Sequence, residues 1–219
     1  MERHFQLELE GLKTSLIKMG SLVEEGYRLA VASVLEHDRQ AAVTVIDADE
    51  RIDALELEVD NAIVDLLALQ QPVAKDLRLI IASQKLNNDL ERIGDHCVNI
   101  AQSALTLLES PRSSSIEDIP PMANIVGRML HDALDSFIHL DPVLAREVLQ
   151  SEDTVDDLNR KMVKLVIEAL KANLVSVETG MELARVSRNL ERIADLTTNI
   201  SEDVVFLTQA TVIKHRGVT

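Results

Sequence analysis

The sequence predicts an all-α protein made of two tandem, internally homologous three-helix bundles, six helices in all. Three observations lead there. Apolar residues recur at spacings of three and four over long stretches, with hardly any two-residue alternation. Capping and turn residues cut those stretches into six. The last stretch of each half carries the same short string, Leu90-Glu91-Arg92-Ile93-Gly94-Asp95 and Leu190-Glu191-Arg192-Ile193-Ala194-Asp195.

The first helix, over 3–36, is written by Phe5, Leu9, Leu12, Leu16, Met19, Val23, Tyr27, Ala30 and Val34, one apolar stripe of an amphipathic helix. Asp38 is placed to cap a second helix over 39–69, whose stripe is Ile52, Leu55, Val59 and Ile63. Gln71-Pro72 breaks the chain before a third helix over 73–109, with Leu86, Leu90, Ile93, Cys97 and Ile100 inward. Ser110-Pro111-Arg112-Ser113-Ser114-Ser115 and then Pro120-Pro121 read as a linker, which divides the chain into a first bundle at 1–110, a linker at 111–120 and a second bundle at 121–219. The fourth helix is expected over 121–140. Asp141 followed by Pro142 opens the fifth, over 142–173. The stretch Glu178-Thr179-Gly180 is read as the break before the sixth, over 181–210. The halves match further: Asn99-Ile100 recurs as Asn199-Ile200, Asp38 as Asp141, and Asp49, Ile52, Asp53 and Leu55 as Glu152, Val155, Asp156 and Leu158.

Composition narrows the function. At 219 residues the chain can bury a core without disulfide or zinc staples, and its single cysteine, Cys97, builds neither inside one chain. With 37 acids against 22 Lys and Arg, the net charge is −15, a field that repels nucleic acid and anionic lipid and favours cations or basic partners. Aromatics are 2% with no tryptophan, so bases have little to stack on. The amino-terminal run is charged and no apolar run approaches membrane-spanning length, which makes the cytoplasm the expected location.

The chemistry-bearing pattern is acidic. Each half has two acid pairs with three residues between them: Asp49/Asp53 and Glu91/Asp95, then Glu152/Asp156 and Glu191/Asp195. That spacing puts both carboxylates on one helix face. In the first half Asp49, Asp53, Glu56 and Asp60 form a row beside the apolar stripe, while Gln84, Asn88, Glu91, Asp95, Asn99 and Gln102 share the polar side of the third helix. One such pair is what any solvated acidic helix shows, and a metal-free helical scaffold would display it too. Recurrence at equivalent addresses points instead to oxygen ligands gathered for a hard cation, such as Mg²⁺, Mn²⁺, Ca²⁺ or iron. A carboxylate-bridged helical-bundle metalloenzyme is the rival. It needs Glu-x-x-His pairs, and none of the six histidines stands in one. These histidines are read as surface or boundary residues, Cys97 as a buried, inert thiol, and Arg92 and Arg192 as interhelical salt-bridge donors. Only seven glycines are scattered through the helices, and they build no phosphate loop or nucleophile elbow. The residues therefore read as those of a non-enzyme.

The stretches Gln71-Pro72-Val73-Ala74-Lys75-Asp76-Leu77-Arg78 and Asn88-Asp89-Leu90-Glu91-Arg92-Ile93-Gly94-Asp95-His96, with the second copy from Asn189 to Asp195 and Thr198-Asn199-Ile200, resemble the signature of the PhoU family. Little between His4 and His215 lies outside the likeness. The resemblance implies metal ions (Fe, Mn, Mg or Zn), often in multinuclear clusters, held by Asp49, Asp53, Glu91 and Asp95 in one site and by Glu152, Asp156, Glu191 and Asp195 in the other. It further implies a cytoplasmic homodimer that restrains the phosphate-starvation response. Its partners would be the sensor histidine kinase of the phosphate regulon and the ATPase subunit of the phosphate ABC transporter, with the membrane reached only through them. The copies are unequal: Glu56 corresponds to Asn159 and Asn88 to Arg188, so the second site is expected to be the weaker.

Overall fold

In the computed structural model, which describes residues 2–109 and 119–209, α1 (Glu2–Leu35), α2 (Arg39–Gln70) and α3 (Ala74–Leu107) form the first bundle. The second consists of α4 (Ile119–His139), α5 (Pro142–Leu149), α6 (Glu152–Lys171) and α7 (Val177–Gln209). The two bundles meet where α3 packs along α7 and α1 along α4, and one apolar cluster runs through both. The stripes predicted from periodicity are its content. Leu12, Leu16, Met19 and Val23 of α1, Leu86, Leu90 and Ile93 of α3, and the corresponding Val186, Leu190 and Ile193 of α7 are all buried in it.

The turn into each second helix is the same device written twice. His37 and Leu140 both take the left-handed conformation, with φ of 58° and 53°, and the next backbone N–H reaches back to the preceding helix, Asp38 N to Ser33 O at 3.2 Å and Asp141 N to Ser136 O at 2.9 Å. The aspartates then cap. Asp38 Oδ1 accepts from the amides of Gln40 and Ala41 at 2.8 and 3.1 Å, and Asp141 Oδ1 accepts from those of Val143 and Leu144 at 2.8 and 3.2 Å.

Three local expectations are corrected. The fifth helix is not one piece: Ser151 N turns to Val148 O at 3.0 Å, a tightened i to i−3 bond that separates α5 from α6 although Gln150 and Ser151 both keep right-handed backbone angles. Pro120 and Pro121 lie in the first turn of α4, where their missing N–H groups cost nothing, and the linker residues 111–118 fall outside the described part. Glu178-Thr179-Gly180 is the first turn of α7 rather than a break. The cap is Ser176, whose hydroxyl oxygen accepts from Thr179 N at 3.0 Å. Gly180 serves packing there: a Cβ would stand 3.2 Å from Leu170 and Val166, so its absence lets α6 and α7 approach closely.

Candidate metal centre

The second and third helices of each half face each other with their acid pairs. In the first half the approach is set by Gly94, whose missing Cβ would lie 3.1 Å from Ile52 Cδ1 and 3.8 Å from Asp49 Oδ1. In the second half the equivalent positions are Ala194 and Val155, both buried. From Ile52 with Gly94 to Val155 with Ala194, a methyl group has in effect moved from the second helix of one copy to the third helix of the other.

Across the first interface the carboxylates act on one another. Partial burial raises the pKa of Asp49, and Asp53 and Asp95 raise it further. Glu91 is raised by burial, then by Asp95, Glu56, Asp53 and Asp49. Glu56, raised by burial and by Asp60, Asp53 and Asp95, belongs to the same electrostatic group. None of Asp49, Asp53, Glu56, Glu91 and Asp95 has an ion pair among the described residues. Asp60 ends the row differently, accepting from Gln84 Nε2 and from Asn87 Nδ2 of α3, each at 2.8 Å. Buried Asn87, which the sequence pattern did not single out, also donates to Glu56 O at 3.0 Å and so ties α2 to α3 beneath the acid face.

The second interface has the same acids with different neighbours. Glu152 is raised by burial and by Asp195 and Asp156, and Glu191 by burial and Asp195, but Arg188 and Arg192 pull Glu191 back down. Arg188 Nη1 is 2.9 Å from Glu191 Oε1, Arg192 Nη1 is 2.7 Å from Asp195 Oδ2, and Arg160 Nη1 is 3.6 Å from Asp156 Oδ2. Arg92 and Arg192 thus pair within their own helices, Arg92 with Asp89 at 3.8 Å, which corrects the interhelical role expected of them; acids three residues away are nearer than any on a neighbouring helix. Asn159, in the place of Glu56, is buried and accepts from Ser187 Oγ at 2.8 Å.

The donor set is oxygen throughout, as hard cations require. Glu191 Oε2 is buried without a hydrogen-bond partner, its nearest charge being Arg192 Nε at 3.8 Å, and an ion would satisfy it. Against this, no three His, Cys, Asp or Glu side chains among the described residues converge closely enough to hold an ion as they stand, so binding requires the carboxylates to rotate toward one another. The histidines stay at boundaries. His96 Nδ1 lies 2.9 Å from Asn189 Oδ1 across the α3–α7 seam and His131 Nδ1 is 2.9 Å from Glu24 Oε1 across the α1–α4 seam. Cys97 is buried, and burial pushes its thiol far up, away from the reactive thiolate.

A family model described as the PhoU domain matches residues 16–104 and again 119–204. The chain is 35% identical over 211 residues, covering 96% of both chains, to the phosphate-specific transport system accessory protein PhoU homolog of Aquifex aeolicus strain VF5. Its fold superposes on the crystal structure of PhoU from Pseudomonas aeruginosa with a TM-score of 0.91 and 34% identity, covering 94% of this chain and 100% of that one. The crystal structure of the phosphate transport system regulatory protein PhoU from Streptococcus pneumoniae gives a TM-score of 0.88 at 30% identity, covering 96% of this chain and 99% of that one.

Proposed function

The chain belongs to the PhoU family, and from that premise we propose that it is a non-enzymatic accessory regulator of phosphate transport that binds hard cations on its carboxylate faces. The transport role rests on the relatives, which are accessory and regulatory proteins of phosphate transport systems. In this reading the chain acts in the cytoplasm as a homodimer and restrains the phosphate-starvation response. It does so as an adaptor between the sensor histidine kinase and the ATPase subunit of the phosphate transporter. No described helix is long and apolar enough to cross a membrane, so contact with the membrane would run through those partners.

The cation reading is carried by one observation: five carboxylates crowd two facing helices with no ion-pair partner among the described residues, and burial together with the acidic neighbours raises the pKa of Asp49, Glu56 and Glu91. Asp49, Asp53, Glu91 and Asp95 would hold ions in the first half, and Glu152, Asp156, Glu191 and Asp195 in the second. A bound Fe, Mn, Mg or Zn ion supplies positive charge that stabilises the ionised face; the residues themselves do no bond-making chemistry. The test is elemental analysis of gently purified protein beside the Asp95→Asn, Asp195→Asn double variant. Stoichiometric metal in the first and its loss in the second are expected. Metal-free protein that gains no thermal stability from added Mn²⁺ overturns the cation reading and leaves a scaffold. The adaptor role is tested by hydrogen exchange on mixing with the purified kinase or ATPase, and no protection by either overturns it.

A further inference from the structure

The two bundles join along two seams that are tied differently. Along α3 and α7 the polar ties are spread over the length of the contact: Lys85 Nζ to Asp203 Oδ1 at 2.6 Å, His96 Nδ1 to Asn189 Oδ1 at 2.9 Å and Arg185 Nη2 to Asn99 Oδ1 at 3.0 Å. Along α1 and α4 two side-chain bonds tie the seam among the described residues. Tyr27 donates its hydroxyl to Ala123 O at 2.6 Å, with its ring against Gly127, where a Cβ would stand 3.1 Å away. His131 Nδ1 meets Glu24 Oε1 at 2.9 Å. The seam is hollow on both sides of this second bond. A cleft of about 110 Å³ lined by Leu16, Ile17, Leu134 and Phe137 lies on one side, and an open one of about 670 Å³ lined by Tyr27, Asn124 and Arg128 lies on the other. Ser21 and Glu24 line both, so the contact of Glu24 with His131 stands where the clefts adjoin.

His131 is placed to change the strength of that contact by gaining a proton. Its Nε2 lies 3.9 Å from Asp135 Oδ2, one turn along α4, so the ring stands between a carboxylate of each bundle. A neutral ring has one N–H and an uncharged bond to Glu24. The protonated ring makes that bond charge-assisted, roughly twice as strong, while its second N–H turns to Asp135. The charges around the ring come from α1 and α4, the two helices that line its cleft. From α1, Glu24 favours the proton, and Arg28, one turn further on, is held by Glu25 with Nε to Oε2 at 2.8 Å. From α4, Asp135 and Asp132 favour it, and Arg128, three residues earlier in the same cleft, is the opposing charge. The hydrogen bond to Glu24 raises the pKa of His131 most, partial burial lowers it, and the charges of Glu24, Asp135 and Asp132 raise it further.

We propose that His131 is a pH-dependent latch between the bundles: protonated, it clamps Glu24 of α1 to α4 where the two clefts adjoin, and neutral, it lets that seam open more often. The folded chain binds this proton more tightly than the unfolded chain, so the latch is fully closed below the ordinary histidine range and releases as pH rises through the raised value. The His131 side chain is 62% exposed, and an exposed pair adds little to global stability, so the latch governs a local opening of the seam and not unfolding of the whole chain.

The test is hydrogen exchange on the full chain at pH 5.5 and pH 8.5, with rates over 119–139 corrected for the intrinsic pH dependence of exchange. Protection of this segment is expected to fall about two- to fivefold more in wild type than in His131→Gln between the two pH values. Proton NMR of the His131 ring, assigned by its loss in His131→Gln, is expected to give a titration midpoint above the ordinary histidine range that falls in Glu24→Gln. An equal pH response in wild type and His131→Gln overturns the proposal, and so does a His131 midpoint that Glu24→Gln leaves in place.

Discussion

The first acid face and the second share their spacing and differ in who neutralises them. In the first half, position 88 is asparagine and position 57 leucine, and Arg92, between Glu91 and Asp95, turns to Asp89. In the second half the equivalent positions are Arg188 and Arg160, which reach Glu191 and Asp156. With Asn189 where the first half has Asp89, Arg192 turns to Asp195 instead. The acidic pair also sits differently: Asp49 lies inside an unbroken α2, whereas Glu152 is in the first turn of α6, where the helix end itself favours a carboxylate. A duplicated motif is therefore not a duplicated site. One copy has its counter-charge built in, and the other has no ion-pair partner for these acids among the described residues.

The sharpest way to break the comparison is to ask whether the halves are separate at all. Leu90 and Leu190 occupy the same motif position and are both fully buried, one on each side of the α3–α7 seam. Truncating either to alanine is expected to cost about 2–5 kcal/mol, with the two losses similar. Because one core runs through both bundles, chemical denaturation of each variant should stay a single transition. Two separated transitions would show that the halves stand alone and that the faces must be compared as independent units.

Exchanging the neutralising residue tests the comparison itself. Asn88→Arg should bring a guanidinium to Glu91 and weaken cation binding by the first half by about tenfold, roughly 1.4 kcal/mol, while Arg188→Asn should strengthen binding by the second. Titration of the metal-free protein with Mn²⁺ by calorimetry reads both. If neither exchange moves the affinity, the arginines are bystanders and the asymmetry lies elsewhere.

Much of the fold was legible because long helices repeat their period many times. The nine-residue stripe of α1 from Phe5 to Val34 leaves no alternative, and Asp38 and Asp141 announce the helices they cap. What escaped depends on single local bonds. Ser151 turning its amide to Val148 has no periodic trace, and Gly180 looks like a breaker until Leu170 is seen pressed against it. The acid addresses could be read from spacing, and so could the inequality of Asn88 and Arg188. The choice of partner by Arg92 and Arg192 could not, because each has acids within three or four residues on its own helix and the identity of residue 89 or 189 decides between them. Nor does spacing tell whether carboxylates that share a face converge on a point.

The smallest effect is the most diagnostic of charge. Glu91 is held above the ordinary carboxylate range by burial and by its acidic neighbours, so the folded state binds its proton more tightly than the unfolded chain. Stability of the metal-free protein must then fall as pH rises from the ordinary carboxylate range through that raised value. Glu91→Gln removes the charge and should raise stability at neutral pH by roughly 0.2–0.5 kcal/mol for each like-charge pair relieved, while flattening the pH dependence. Glu191→Gln also strips Arg188 of its partner, so its gain should be smaller or reversed. Urea melts in a chelator at pH 5 and pH 7.5 separate the two variants. Repeating them with Mn²⁺ should abolish the advantage of Glu91→Gln, since an ion that already neutralises the first face leaves no repulsion to relieve; an advantage that persists with metal would mean the ion binds somewhere else.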